Sequence, residues 1–70
     1  MKLTRTISRG QLYVDAFSSL YEVRAVDATY WIVILQHKGK TLKWPYDRML
    51  RYIMNGRLTY LKSKNPRYNP

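Results

Sequence analysis

The 70-residue chain contains no cysteine, which excludes disulfides and thiolate metal sites. His37 is its single histidine and cannot build a metal site by itself, so neither a metal nor another cofactor is expected. The longest apolar run covers the six residues 30–35, whereas a helix needs roughly 20 apolar residues to cross a bilayer. These absences predict a soluble protein without a membrane partner, and they are compatible with a reducing compartment such as the cytoplasm.

Acidic residues are also scarce, with four Asp or Glu against thirteen Lys or Arg and a formal net charge of +9. The four acids are scattered and form neither a carboxylate pair nor a metal-ligand spacing. His37 follows the apolar run and precedes a lysine-rich turn, with no serine or aspartate in a catalytic arrangement beside it. The sequence therefore predicts a protein that is not an enzyme.

The positive charge is concentrated in the second half of the chain. Residues 1–37 carry four cations against three anions, whereas residues 38–70 carry nine cations against Asp47 alone. Such an asymmetry indicates an anionic partner, with nucleic acid the first candidate and an acidic protein surface the second. An excess of basic residues also increases solubility, so the net charge by itself does not establish binding.

Residues 44–56 are the one stretch with clearly helical hydrophobic spacing. Steps of 100° per residue place the apolar side chains on one face and the polar side chains on the other. The predicted inner face comprises Tyr46, Met49, Leu50, Ile53 and Met54. Pro45 suits a first helical position, and Asn55 with Gly56 suits a left-handed end of the helix.

Alternating or apolar segments predict five strands around this helix, at residues 11–17, 20–26, 30–35, 41–44 and 57–61. Turns are predicted at Ser18-Ser19 and at residues 37–40, where Gly39 can adopt a positive φ. Residues 11–61 would form a single domain. Residues 1–10 are predicted to be a flexible basic arm or a short edge segment, and residues 62–70 a disordered basic tail.

The hairpin at Ser18-Ser19, the turn at residues 38–40 and the connector at residues 45–56 give an element order that resembles the SH3-like barrel family. In particular, residues 11–61 resemble the short SH3-like accessory proteins of phages and mobile elements. The resemblance implies a mainly β (α+β) fold: a five-stranded SH3-like barrel or curled antiparallel sheet, with one short amphipathic helix between strands 4 and 5. The connector is about three helical turns long, longer than the single turn of an ordinary SH3 barrel, which also permits an open sheet with the helix packed across it.

The basic residues of the fourth strand, its preceding turn and the outer helical face predict one binding surface. Its members are Lys38, Lys40, Lys43, Arg48, Arg51, Tyr52 and Arg57. Tyr52 lies on the polar helical face, where its ring could stack on a base or sugar or pack on a neighbouring strand. We expect Trp44 to belong to the core and Asn55 to end the helix.

This surface predicts a small, basic, non-enzymatic accessory or regulatory protein that binds DNA or RNA through its phosphates. The alternative is a phage-type inhibitor that occludes an acidic surface of a host enzyme or defence complex, an attribution that comes from the resemblance. Homodimerisation through an exposed strand edge is a further option for so small a core.

Overall fold

A computed structural model describes residues 6–64, which form five strands and one helix. In chain order these are β1 (Gln11–Asp15), β2 (Leu20–Asp27), β3 (Ile32–His37), β4 (Lys40–Pro45), α1 (Tyr46–Met54) and β5 (Leu58–Ser63). The strands pair antiparallel in the order β4-β3-β2-β1-β5, so β4 and β5 are the edges of one open sheet. The prediction of a mainly β fold, with one short helix between strands 4 and 5, is confirmed.

The helix lies on one face of this sheet. Directly paired residues of neighbouring strands point to the same face, and the register joins Tyr13 to Tyr21 and Val23 to Leu35. We call the face that carries these side chains the helix-side face and the opposite one the outer face. The core between the sheet and α1 consists of Ile7, Tyr13, Val23, Val33, Leu35, Tyr46, Met49 and Leu58.

Two consecutive residues with positive φ connect β3 to β4. Lys38 has a φ of 51° and Gly39 a φ of 77°, the combination found in the two-residue hairpin turns that match the twist of antiparallel strands. The predicted positive φ at Gly39 is confirmed. Lys38 is the less usual member, since residues other than glycine seldom adopt this conformation, and the turn leaves it exposed.

The predicted third strand begins two residues later than the apolar run suggested. Tyr30 and Trp31 lie in the turn before β3 and are exposed. The Asp27 carboxylate folds this turn, because its Oδ1 accepts the backbone N–H groups of Thr29 at 2.9 Å and Tyr30 at 3.2 Å. Trp31 is the last residue of the turn and has a φ of 58°, which is not an extended conformation. The strand β3 therefore begins only at Ile32.

The helix is confirmed, with one correction to its inner face. Met49 is 0% exposed, whereas Met54, placed on the same face by the helical spacing, is 73% exposed. Met54 is the last helical residue, and the chain turns away immediately afterwards at Gly56, which has a φ of 86°. The final turn of α1 therefore extends past the core. Pro45 ends β4 and directly precedes the helix, so it is not the first helical residue.

Residues 6–10, within the segment predicted as a flexible arm or a short edge segment, are packed against the domain. Ile7 is buried in the core, and its backbone N–H donates to the Tyr46 hydroxyl at 3.3 Å. Gly10 donates to the Val23 carbonyl at 2.9 Å. Residues 1–5 of the predicted arm lie outside the described residues.

The last strand continues further than the predicted residue 61. It ends at Ser63, and the Lys64 N–H donates to the Gly10 carbonyl at 2.8 Å. The remaining part of the predicted tail, residues 65–70, lies outside the described residues. Within residues 6–64, no helix is long and apolar enough to span a membrane.

Candidate ligand-binding groove

An open groove of about 400 Å³ lies at one end of the helix-side face. The β1–β2 turn forms one side, and the later part of α1 with the start of β5 forms the other. We call this feature the aromatic groove. Its lining residues are Asp15, Ala16, Phe17, Tyr21, Trp44, Tyr52, Arg57 and Leu58.

Contacting rings form the floor and one wall of the aromatic groove. Trp44 lies 5.6 Å from Tyr21 in a tilted arrangement and 5.4 Å from Tyr52 in an edge-to-face arrangement, measured between ring centroids. His37 stacks on Tyr21, with the two rings nearly parallel and 4.0 Å apart. Such pairs stabilise a fixed arrangement of the rings beyond their burial alone, so the floor of the groove is built before any ligand arrives.

The β1–β2 turn is held by one carboxylate. Asp15 Oδ1 accepts the N–H of Phe17 at 2.8 Å and that of Ser19 at 2.9 Å, while Oδ2 accepts the Tyr21 hydroxyl at 2.9 Å. β1 therefore ends at Asp15, and Phe17 lies in the turn, not in the strand predicted for residues 11–17. The Phe17 side chain is 89% exposed at the rim of the groove.

These hydrogen bonds shift two pKa values in opposite directions. The Ser19 N–H has the largest effect and, with the Tyr21 hydroxyl and the Phe17 N–H, keeps the pKa of Asp15 below its ordinary value, although partial removal from water opposes this. Removal from water raises the pKa of Tyr21, and the adjacent Asp15 carboxylate raises it further. At neutral pH the pair is a carboxylate that accepts a hydrogen bond from a neutral phenol.

Replacing Asp15 with asparagine should lower the thermal midpoint at pH 7 and weaken its dependence on acid. A carboxyl whose pKa is lower in the folded state stabilises the fold above its unfolded pKa, and that contribution is lost as the pH falls through the folded pKa. The wild-type midpoint should therefore fall on acidification below about pH 4. Circular dichroism melts between pH 7 and pH 2 measure both effects.

Asp47→Asn is the matched control for this series, because Asp47 lies on the exposed first turn of α1. At pH 7 its thermal midpoint should fall less than that of Asp15→Asn, because it loses only a favourable interaction with the start of the helix and no hydrogen bond of the β1–β2 turn. Equal acid dependence in the wild type and Asp15→Asn would contradict the role given to this carboxylate.

Two members of the predicted binding surface meet at the aromatic groove. The Arg57 guanidinium lies over the Tyr52 ring, 5.5 Å from its centroid. Tyr52 is half-buried against Trp44 of β4. Its ring therefore packs on a neighbouring strand, which was the second of the two arrangements predicted for it. Trp44 is also half-buried against the core, as expected, and the Asn55 side chain accepts the Arg57 N–H at 3.0 Å.

The remaining basic residues of the predicted surface are spread over three places. Arg48 and Arg51 are exposed on α1, and Lys38 and Lys40 are exposed at the β3–β4 turn, where Lys40 pairs with His37. Lys43 pairs with Ile34 and alternates with Leu42 and Trp44, which places it on the outer face, away from the helix. The predicted cations therefore do not share one face.

Phe17 is one of the groove residues that the predicted binding surface lacks, as are Tyr21 and Trp44. Its signal was available, since it is the only phenylalanine and stands next to a serine pair that marks a turn. Because residues 11–17 were predicted to be a strand, Phe17 was interpreted as an ordinary apolar residue at a strand end and not as an exposed ring on a turn.

Among residues 6–64, no group of three or more His, Asp or Glu side chains could hold a metal ion. Comparison with protein-family models, curated proteins and solved structures finds no match to this chain.

Proposed function

We propose that this protein is a small, non-enzymatic nucleic-acid-binding accessory protein that contacts phosphates through its exposed lysines and arginines. The observation that carries the proposal is that, among residues 6–64, the cations of the predicted binding surface have no carboxylate partner. Between residues 6 and 64, ion pairs join Glu22 to Arg24 at 3.5 Å and to Lys64 at 3.4 Å. Within this span no carboxylate pairs with the basic residues of the predicted surface, namely Lys38, Lys40, Lys43, Arg48, Arg51 and Arg57.

Unpaired cations on a chain of net charge +9 create a positive potential that attracts polyanions. Cations on both faces of the sheet suit a flexible or wrapped strand better than a single flat contact.

The fold proposed for this function is the SH3-like barrel of phage and mobile-element accessory proteins. Two observations support it: β5 pairs with β1, and α1 contacts β3, β4 and β5, so the helix bridges the two edges of the sheet. A helix in that position covers the gap at which a curled five-stranded sheet would close.

Salt dependence of binding tests the function. With about six phosphate contacts, the logarithm of the affinity for duplex DNA should fall against the logarithm of salt with a slope near −5, and that for a single strand near −4. The Arg48→Ala, Arg51→Ala double variant should flatten the duplex slope by about two units. Fluorescence anisotropy on nuclease-treated protein, at several salt concentrations, gives these slopes.

An Arg24→Ala, Lys64→Ala double variant is the matched control, because it removes the same charge from residues that contact Glu22. Its slope should remain close to that of the wild type. If both double variants flatten the slope equally, binding follows net charge and not the helix arginines. Absence of binding to duplex DNA, single-stranded DNA and RNA at low salt would refute the proposal.

The second candidate function is docking on an acidic protein. It is favoured by Tyr30 and Trp31, two exposed rings in the turn that Asp27 holds, since aromatic residues are enriched in protein interfaces. This reading predicts a stoichiometric complex with an acidic protein that survives nuclease treatment.

A further inference from the structure

The aromatic groove combines a rigid floor with one ring that has little cover. Trp44 contacts both Tyr21 and Tyr52, and all three are half-buried, whereas Phe17 across the groove is 89% exposed. The backbone beside Phe17 is fixed, because Ser18 donates to the Asp15 carbonyl at 3.0 Å and Asp15 donates to the Ser19 carbonyl at 3.1 Å. Phe17 therefore presents an uncovered aromatic face at the rim of the groove, a surface on which a nucleic-acid base can stack.

We infer that the aromatic groove receives one unpaired base of a single-stranded nucleic acid, which stacks on the Phe17 ring while Arg57 contacts the adjoining phosphate. This inference depends on the proposed function and deepens it, since it adds the kind of strand that is bound. Every base has a flat face that can stack on an aromatic side chain, so the groove would accept bases with little regard to their identity.

The charges at the groove favour a nucleotide over an apolar peptide side chain. Arg57 is exposed beside Tyr52 and has no carboxylate partner among residues 6–64. Its planar guanidinium can bind a phosphate through two hydrogen bonds while it remains on the tyrosine ring. The Asp15 carboxylate also lines the groove, but it already accepts three hydrogen bonds from Phe17, Ser19 and Tyr21, which reduces its repulsion of a phosphate.

The shape of the groove favours an unpaired base over a paired one. Tyr21, Trp44 and Tyr52 line a recess between the β1–β2 turn and α1, and Phe17 lies at its rim. In a duplex, both faces of each base are covered by its neighbours, so a paired base offers only its edges to a protein. A single strand can turn one base into the recess at a small cost in stacking.

Three probes of equal length test this inference: a single-stranded oligothymidylate, a DNA duplex, and an abasic oligonucleotide that keeps the phosphates but lacks bases. At equal salt, the wild type should bind the oligothymidylate about tenfold or more tightly than the abasic strand, because base stacking is lost in the latter. Phe17→Ala should lower the oligothymidylate affinity by about the same factor and leave the affinities for the other two probes unchanged.

Tyr30→Ala is the matched control, because it removes another exposed ring from a turn that does not line the groove. It should change none of the three affinities, and the Phe17→Ala salt slope should equal that of the wild type. Equal binding of the oligothymidylate and the abasic strand, or a Phe17→Ala loss shared by all three probes, would overturn the groove inference alone. No binding to any of these probes or to RNA at low salt would overturn the proposed function as well.

Discussion

Substituting Met49 by aspartate unfolds the protein at room temperature. Met49 is 0% exposed and belongs to the cluster that joins α1 to the sheet. A carboxylate at this position loses its hydration without gaining a partner, and such burial costs more than about 4 kcal/mol. A single-core domain of this size has only about 3 to 5 kcal/mol of stability. The circular dichroism spectrum of Met49→Asp should therefore lack both the folded signal and a cooperative thermal transition.

Met54→Asp is the control in the same helix with the same substitution. Met54 is exposed at the last helical residue, so the new charge stays in water and meets only the negative end of the helix, at a cost of about 1 kcal/mol or less. This variant should melt cooperatively within a few degrees of the wild type. A cooperative melt of Met49→Asp near the wild-type midpoint would contradict the packing of α1.

Replacing Gln11 with leucine should destabilise the fold by about 2 to 4 kcal/mol, even though leucine has a similar volume. Gln11 is 1% exposed, and its Oε1 accepts the Ser8 N–H at 3.0 Å and the Tyr13 hydroxyl at 2.8 Å. Its Nε2 donates to the Thr6 carbonyl at 2.8 Å. Leucine cannot replace any of these bonds, so polar groups near the core would lose a partner. Urea denaturation measures the change in unfolding free energy.

Gln36→Leu supplies the comparison, because Gln36 is a half-buried glutamine of β3 that has no side-chain hydrogen bond to residues 6–64. Its effect should stay within about 0.5 kcal/mol. If the two variants lose the same unfolding free energy, the hydrogen bonds of the Gln11 side chain do not stabilise the fold. Faster amide exchange at Ser8 in Gln11→Leu would locate the loss at residues 6–10.

The helix and the element order could be predicted because their signals are local. A period of 3.6 residues, a glycine at the helix end and a glycine in the β3–β4 turn each depend on neighbouring residues. The same spacing wrongly predicted that Met54 is buried, because periodicity shows which side of a helix is apolar but not where the core that it packs on ends. The strand predicted from the apolar run was wrong at Tyr30 and Trp31, because the hydrogen bonds of the Asp27 carboxylate to Thr29 and Tyr30 form a turn there.

The candidate site was less predictable, because it is assembled from distant parts of the chain. Tyr52 and Arg57 could be selected from sequence for their position and charge, but Phe17, Tyr21 and Trp44 meet them only through strand register and helix docking. Likewise, nothing local marks Ile7 or Gln11 as buried, since one lies in a polar segment and the other is polar itself.

The hydrogen bond between Gly10 and Lys64 has a mechanical consequence. The residue before β1 and the residue after β5 therefore lie side by side, next to the pair formed by Gln11 and Ser63 at one end of the β1–β5 ladder. Tension applied through residues 10 and 64 would therefore load that end alone. Because the bonds of an antiparallel ladder are perpendicular to its strands, they would open one after another instead of resisting together. The domain should therefore yield at low pulling force when it is held at residues 10 and 64.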